Sequence, residues 1–592
     1  MAGKTFVEKI FGADAGSIVF AQPDIILSHD NTASIMKIFN KMGGERLADP
    51  DRLLITLDHN APPTSSKLAN DYQQIREFVS SQRVSRFHDV GDGICHQLMA
   101  AYARPGMIIV GSDSHTCTAG AFNAFAAGID RTETAGLWKN GETWFRVPDS
   151  IKITLSGKLP EGVYAKDIAL YIMGMIGSSG ADYLSVEYHG DGIRSLTIED
   201  RMTLANLASE MGAKNAVFPP DEVLNMFLHH KHSGIWADIE ANYKKQLEIN
   251  LNELFPVIAC PHHVDNISSV DEVAGEKIEQ ALIGTCTNGR IEDLRVAAEI
   301  LRDKKIFPGL QLLVTPASKE IYLQAIDEGI IEIFLQAGAN ILSPSCGPCL
   351  GTGQGIPADG YRVISTANRN FLGRMGNKNA SIYLASPATV AHSALKGEIT
   401  SPLSGITERK YPFEKKLALT VEIPSGEVRK FGNVWDYHEV DNLNTDQMFA
   451  GNLTYEINSS EPDKIVQHLF KGFDDHFAGH VDQGDILICG ENFGCGSSRE
   501  HPSVGLAYAG VKAIIVKSVS RIFYRSAINQ GLPILVYPDI VEAYRAGDEV
   551  KVDLKKSKVQ VGAEIFTIQP LPAKLIGILN AGGLINWVRS NI

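Results

Sequence analysis

The sequence predicts an α/β fold assembled from parallel βα units. Two patterns predict it. Short apolar runs, "RLLITLDH", "GMIIVGSDS", "KIEQALIGTC", "LQLLVTP", "RVISTAN" and "DILICGENF", each end in a loop of Gly, Ser, Thr, Asp or Asn. Helical stretches such as "IEDLRVAAEILRDKK" and "PSVGLAYAG" follow several of them. Apolar strands of this kind belong to sheets covered on both faces. Such sheets bind ligands outside the carboxyl ends of their strands. Polar residues just after a strand are therefore the candidates for chemistry.

The chain has 592 residues, enough for about four domains at ~150 residues each. Its 44% hydrophobic and 21% charged residues suit a globular protein with several cores. Composition shifts near residues 397–430, where charge, Pro, Ser and Gly are mixed. This predicts an N-terminal region over 1–400, a linker over 401–428 and a C-terminal domain over 429–592. The net charge of −14 disfavours nucleic acid and anionic membranes at long range. Eight cysteines are too few for a disulfide scaffold in a chain this long. The opening "MAGKTFVEKIFGADAG" has charges inside its apolar stretch and lacks a signal-peptide layout. No apolar run reaches the roughly 18 to 20 residues that span a bilayer. A cytoplasmic enzyme with reduced thiols is expected.

The polar loops supply the chemistry. "LIGTCTNGRIED" puts Cys286 at a strand end, and "SPSCGPCLGTG" adds Cys346 and Cys349. A structural zinc site needs four closed ligands, and an electron-transfer cluster usually needs four cysteines. Three cysteines in post-strand loops point to an iron–sulfur cubane with one open iron, able to polarise a substrate oxygen. The alternative is that Cys286 is a buried core thiol. "GSDSHTCTAGAFNAFAAGID" offers Asp113, Ser114 and His115, either as a proton-transfer cluster or as a cap before a helix over "AFNAFAAG". Asp58 with His59, and His96, are similar candidates, each open to a purely structural role. Asn206 and Glu210, four apart, share a helix face; a lone carboxylate there is ordinarily solvated. Arg369 and Arg374 follow "RVISTA", and arginine suits bidentate carboxylate binding. In "CGENFGCGSSREHP", glycines and a following helix start can turn N–H groups toward an anion. Ser497, Ser498 and Arg499 sit there. The rival phosphate loop, GxxxxGK[ST], is absent.

Five of these motifs, "GSDSHT", "LIGTCTN", "SCGPCLG", "NRNFLGR" and "GSSREH", resemble those of the aconitase superfamily, in the same order. That superfamily includes aconitase, homoaconitase and 3-isopropylmalate dehydratase. The resemblance runs from about residue 5 to 590. It implies a three-part α/β/α N-terminal region and a C-terminal swivelling β/β/α domain, the dehydratase large and small parts fused in one chain. It further implies that Cys286, Cys346 and Cys349 ligate a [4Fe–4S] cluster with one open iron. Ser497 matches the position of the catalytic base, with Ser498 and Arg499 holding substrate beside it. The pairs Asp113–His115 and Asp58–His59 would protonate the leaving hydroxyl. His96, Glu210 and Asn206 would complete the network, Ser114 would contact substrate, and Arg369 and Arg374 would bind its carboxylates.

Two departures bear on the substrate, a small hydroxy acid. His29 stands where aconitases have a substrate-binding glutamine, as in the isopropylmalate dehydratases. Thr454, in "NLTY", stands near where aconitase and homoaconitase place an arginine for a third carboxylate, and no arginine occurs between Arg429 and Arg499. The expected substrate is thus an alkyl malate, with 3-isopropylmalate/2-isopropylmalate first. Citrate/isocitrate, homoaconitate and smaller alkylmalate or citraconate substrates are the alternatives. Some relatives bind RNA once their cluster is lost; the acidic charge and lack of a basic stripe argue against that here. Oligomeric state is left open, with a monomer compatible.

Overall fold

The computed structural model describes residues 3–403, 409–413, 429–450, 453, 457, 459, 461–495 and 500–590. The chain divides into two compact units. The first holds Met1–Ala33, Asp49–Gly128 and Arg146–Leu417. The second holds Ser34–Ala48, Ile129–Phe145 and Ala418–Ile592.

The first unit contains three largely parallel sheets. Its opening sheet uses β1 (Ile25–Ser28), β2 (Leu53–Thr56), β3 (Arg86–His88), β4 (Ile108–Gly111) and β5 (Phe125–Gly128), in the order β3-β2-β1-β4-β5. Every pairing in it is parallel. Strand order reverses between β1 and β4, the switch point at which doubly wound sheets open a crevice. A second parallel sheet comprises β6 (Ser150–Ser156), β7 (Ser185–His189), β8 (Asn215–Val217) and β9 (Lys245–Asn250), ordered β8-β7-β6-β9. The third has seven strands: β10 (Val257–Ala259), β11 (Ile267–Ser269), β12 (Gln280–Gly284), β13 (Gln311–Thr315), β14 (Asn340–Ile341), β15 (Arg362–Ser365) and β16 (Ser381–Leu384). Their order is β11-β10-β16-β15-β12-β13-β14. Its five-strand parallel part repeats the winding of the first sheet, with its own reversal between β12 and β15. One apolar cluster joins these two sheets: Leu27, Leu54 and Ile109 pack in the same core as Ala281, Ile283, Leu312 and Ile364.

The second unit carries β17 (Lys430–Phe431), β18 (Val434–Tyr437), β19 (Ile486–Cys489), β20 (Ala513–Val516) and β21 (Ile534–Val536), in sequential order. The last four run parallel. An antiparallel sheet of β22 (Val550–Asp553), β23 (Lys558–Val561) and β24 (Glu564–Thr567) shares its core through Val550, Val559 and Val561. The helix Arg131–Asn140 also belongs to this unit. It is capped by Asp130, whose carboxylate accepts from Glu133 N at 2.7 Å, and ends at left-handed Gly141.

The six apolar runs singled out in the sequence all form parallel strands. "AFNAFAAG" does not form a helix. A 3₁₀ helix covers Ser114–Phe122, Asn123 turns left-handed at φ 59°, and the chain then enters β5. The left-handed residue stops helical propagation. Most of the expected linker, together with Thr454 and Ser497, Ser498 and Arg499, lies outside the described residues.

Candidate active site

The first sheet aims its chemistry at its switch point. His29 and Asp30 follow β1, Asp58 and His59 follow β2, and Asp113, Ser114 and His115 follow β4. The Asp30 carboxylate organises the β2 loop. It accepts the backbone N–H groups of Asp58, His59 and Asn60 at 2.9–3.2 Å, and the Tyr72 hydroxyl at 2.5 Å. His59 then lies between two carboxylates, with Nδ1 3.0 Å from Asp58 and Nε2 3.4 Å from Asp113. Asp113 also meets His96 Nε2 at 2.8 Å and accepts from His115 N at 2.7 Å. The His115 ring turns elsewhere, placing Nε2 2.7 Å from Glu210. Asp113 thus meets His96 most closely, with His59 next, and the expected partner His115 lies further off, its Nδ1 3.6 Å away. Glu210 in turn accepts two 2.9 Å bonds from Arg369 Nε, and Arg369 reaches Ser114 Oγ at 3.0 Å.

The charges in this network are set by burial working against pairing. Burial lowers the basicity of His59, but Asp58 and Asp113 overcome it and hold the imidazole well above its usual range. Burial raises Asp58 and Asp113, yet His59 and His96 respectively outweigh it and keep both well below the carboxylate range. Glu210 is likewise depressed, with Arg369 and His115 overcoming burial. His29 stacks on His59 at 3.8 Å between ring centroids. Burial, then the neighbouring His59, pushes it down to about 4. The positive charge therefore sits on His59, with His29 neutral beside it.

The third sheet brings the cysteines to the same place. Gly284 ends β12 with φ 139°, and a Cβ there would come 2.2 Å from the Thr315 carbonyl oxygen. Only glycine makes that turn. Thr285 follows at φ 69°, a left-handed setting that a β-branched residue rarely adopts and that concentrates at functional sites. Cys286 comes next. Cys346 follows β14, and Cys349 lies in the 3₁₀ turn Gly347–Leu350. All three thiols are buried and none is in a disulfide. Asn206 and Asn368 donate to Cys286 Sγ at 3.4 and 3.5 Å, and Arg374 approaches Cys349 Sγ at 3.7 Å. Cys346 N donates to the Asp58 carbonyl at 3.2 Å, and Asp58 also accepts from Cys95 N at 2.7 Å. The backbone at Asp58 thus joins the cysteine loop to the histidine network. A small cleft opens between them, lined by His59, Asn60 and Thr64 on one side and Ser343, Ser345 and Gln354 on the other.

Asn206 and Glu210 reach this site by different elements. Asn206 is in the helix Ile198–Leu207, while Glu210 is in the tighter 3₁₀ turn Ala208–Met211 that follows. Asp30, Tyr72 and Asn368 were not singled out from sequence. Asp30 carries the same post-strand signal as His29, and Asn368 sits beside Arg369.

The aconitase family model (aconitate hydratase) matches residues 4–397, and a second, the aconitase C-terminal domain, matches 420–539. The 3-isopropylmalate dehydratase large subunit 1 of Methanopyrus kandleri is 45% identical over 68% of this chain and 99% of its own length. The chain belongs to the aconitase family. Its enzymes are hydro-lyases, and this chain is an enzyme of that class. Another aconitase-family relative, the probable methanogen homoaconitase large subunit of Methanosarcina mazei, is also 45% identical, over 65% of this chain and 99% of its own. The methanogen homoaconitase large subunit of Methanocaldococcus jannaschii is 42% identical over 67% and 100%. Aconitase-family enzymes generally carry a [4Fe–4S] group. The residues here fit one: soft thiol donors, three amide or guanidinium donors directed at sulfur, and buried Asn206 Oδ1, His29 Nδ1 and Arg374 Nε with no partner among the described residues. No helix among the described residues is long and apolar enough to cross a membrane.

Proposed function

We propose that the protein is a [4Fe–4S]-dependent hydro-lyase and isomerase that dehydrates and rehydrates a hydroxy dicarboxylic acid through an alkene, with 3-isopropylmalate/2-isopropylmalate as its substrate pair. The observation that carries this reading is the convergence of three buried cysteines with one continuous histidine–carboxylate–arginine network. Cys286, Cys346 and Cys349 would hold the iron–sulfur group. When bound, that group supplies an open iron position, a Lewis acid for the departing hydroxyl.

The remaining work falls to side chains. Dehydration takes a proton from one carbon and hydroxide from its neighbour. His59, kept protonated between Asp58 and Asp113, supplies the proton that lets hydroxide leave as water. His96 holds Asp113 in place for this. Glu210 fixes the Arg369 guanidinium at Ser114 Oγ, where its donors meet a substrate carboxylate and stabilise the charge gathering there. Arg374 binds a second carboxylate. Ser497, with Ser498 and Arg499, takes the carbon-bound proton; these roles rest on the motif "GSSREH". His29 binds substrate, and Thr454 reads its variable arm, a role that rests on the motif "NLTY".

The dicarboxylate reading rests on the absence of arginine between Arg429 and Arg499. The equal identity of a relative named for homoaconitase favours homoaconitate as a second reading. Relatives named as large subunits match over 99% of their own length yet only 65–68% of this chain. With the C-terminal family match, that supports large and small parts fused in one polypeptide. The test is to purify the protein without oxygen, restore iron and sulfide, and follow alkene absorbance with isopropylmalate, homocitrate and citrate. Turnover of isopropylmalate alone supports the reading. Turnover of a tricarboxylate overturns the dicarboxylate pocket. Loss of neither colour nor turnover in Cys286→Ser overturns the cysteine centre.

A further inference from the structure

Lys166 is a buried ammonium with no ion-pair partner among the described residues. It lies in the first turn of the helix Ala165–Ile176, and its side chain is 0% exposed. Its Nζ donates to the carbonyls of Thr366, at 3.0 Å, and Ala367, at 2.5 Å. Among the described residues no carboxylate forms an ion pair with it. The helix does not help, because a cation at a helix N-terminus faces the positive end of the dipole. A buried charge in such a place is costly unless something opposite in sign offsets it.

The two carbonyls show where the charge is aimed. They lie just past β15, at the switch point of the third sheet, and lead directly into Asn368 and Arg369. The Thr366 hydroxyl also binds Gly284, accepting from its N–H at 2.9 Å and donating to its carbonyl at 3.1 Å. Gly284 is two residues before Cys286. Lys166 therefore ties together the ends of both strands that deliver the cysteine site. Burial pushes its ammonium down to about 7, and the groups that act to restore it are Cys286 first, then Cys349, Asp293 and Glu210.

We propose that Lys166 is the internal counter-charge of the cysteine centre: a positioning residue whose ammonium, fixed by two loop carbonyls, offsets the negative charge gathered on Cys286 and Cys349 when an iron–sulfur group is bound. The inference rests on the cysteine-centre reading given above. A positive charge held near an anionic redox group makes that group easier to reduce, because the added electron is stabilised.

The test is an anaerobic redox titration of the reconstituted holoenzyme, followed by electron paramagnetic resonance, in four forms. Lys166→Arg keeps the charge and donors, Lys166→Gln keeps donors without charge, and Lys166→Met keeps neither. The expected result is a wild-type potential in Lys166→Arg and a more negative one in both neutral variants. Neutral variants that fold normally yet take up no iron, while Lys166→Arg does, would also support the proposal. A wild-type potential in Lys166→Gln with a lowered one in Lys166→Met would overturn it, since carbonyl clamping would then explain the residue. Equal potentials in all four would overturn it too. If both neutral variants fail to fold, Lys166→Arg decides: a wild-type potential supports the charge, a lowered one overturns it. Absence of a cluster signal in the wild-type protein would overturn the cysteine centre itself.

Discussion

Arg525 and Glu133 stand 392 positions apart in the chain and meet in an interior with no solvent exposure on either side chain. Arg525 Nε donates to Glu133 Oε2 at 2.7 Å, and the guanidinium lies 4.0 Å over the Trp144 ring. Thr143 Oγ1 donates to the other Glu133 oxygen at 2.6 Å. Removing one partner strands the other as a buried charge. Arg525→Met is expected to destabilise the fold by about 3–5 kcal/mol, read as a lowered midpoint in denaturant unfolding. Adding Glu133→Met should recover part of that loss; a double variant as damaged as the sum of the two singles would show that the charges are not coupled.

The Asp58–His59 pair makes stability depend on pH. His59 is held above its ordinary 6.5, so its contribution is full below that value and fades as pH rises through its own raised pKa. Asp58 is held below its ordinary 3.8, so its contribution is full above that value and fades as pH falls through its lowered pKa. Both are complete between 3.8 and 6.5. Melting temperature in the wild-type protein should therefore fall between pH about 6 and about 9 more steeply than in His59→Gln. Identical slopes would remove His59 from the explanation.

Glu210 holds Arg369 and His115 at once. Glu210→Gln keeps the side chain's size and removes its charge, so both partners lose their anchor. Turnover is expected to fall about 100-fold, the range for a displaced proton-transfer network, with visible absorbance of the reconstituted protein unchanged. A variant that loses the absorbance as well would place Glu210 in assembly of the site instead.

Gly284 sets the direction of Cys286. Gly284→Ala should cost about 1–3 kcal/mol of stability, as strained left-handed positions do, and reduce iron uptake under conditions that load the wild-type protein. Iron and sulfide analysis after anaerobic reconstitution reads this directly. Full loading would mean the loop can shift to accommodate the methyl group without moving the thiol.

Much of the first unit was legible because its signals are local. An apolar run that stops at Asp, His or Cys says both that a strand ends and that its end carries chemistry, and β2, β4 and β12 all read this way. What escaped depends on distance or on conformation. His115 turns its Nε2 away from Asp113 because Glu210, 95 positions away, competes for the ring. "AFNAFAAG" has helix-forming composition, but one left-handed asparagine diverts it into β5. Lys166 sits in a helix start, Ala165-Lys166-Asp167, whose adjacent charges read as an ordinary solvated first turn. Glu133 looks like an ordinary first-turn helix acid until Arg525 is placed beside it.

The make-up of the second unit has a consequence for synthesis. Its two early segments, Ser34–Ala48 and Ile129–Phe145, leave the ribosome long before the rest of the unit. At ~5–20 residues per second, Glu133 waits about 20 to 80 seconds for Arg525 to be made. During that interval the helix Arg131–Asn140 lacks the later helices Arg521–Asn529 and Leu584–Ser590 that pack on it. The nascent chain therefore exposes this helix as a target for chaperones, and raising chaperone supply during expression should increase the soluble yield of the full chain.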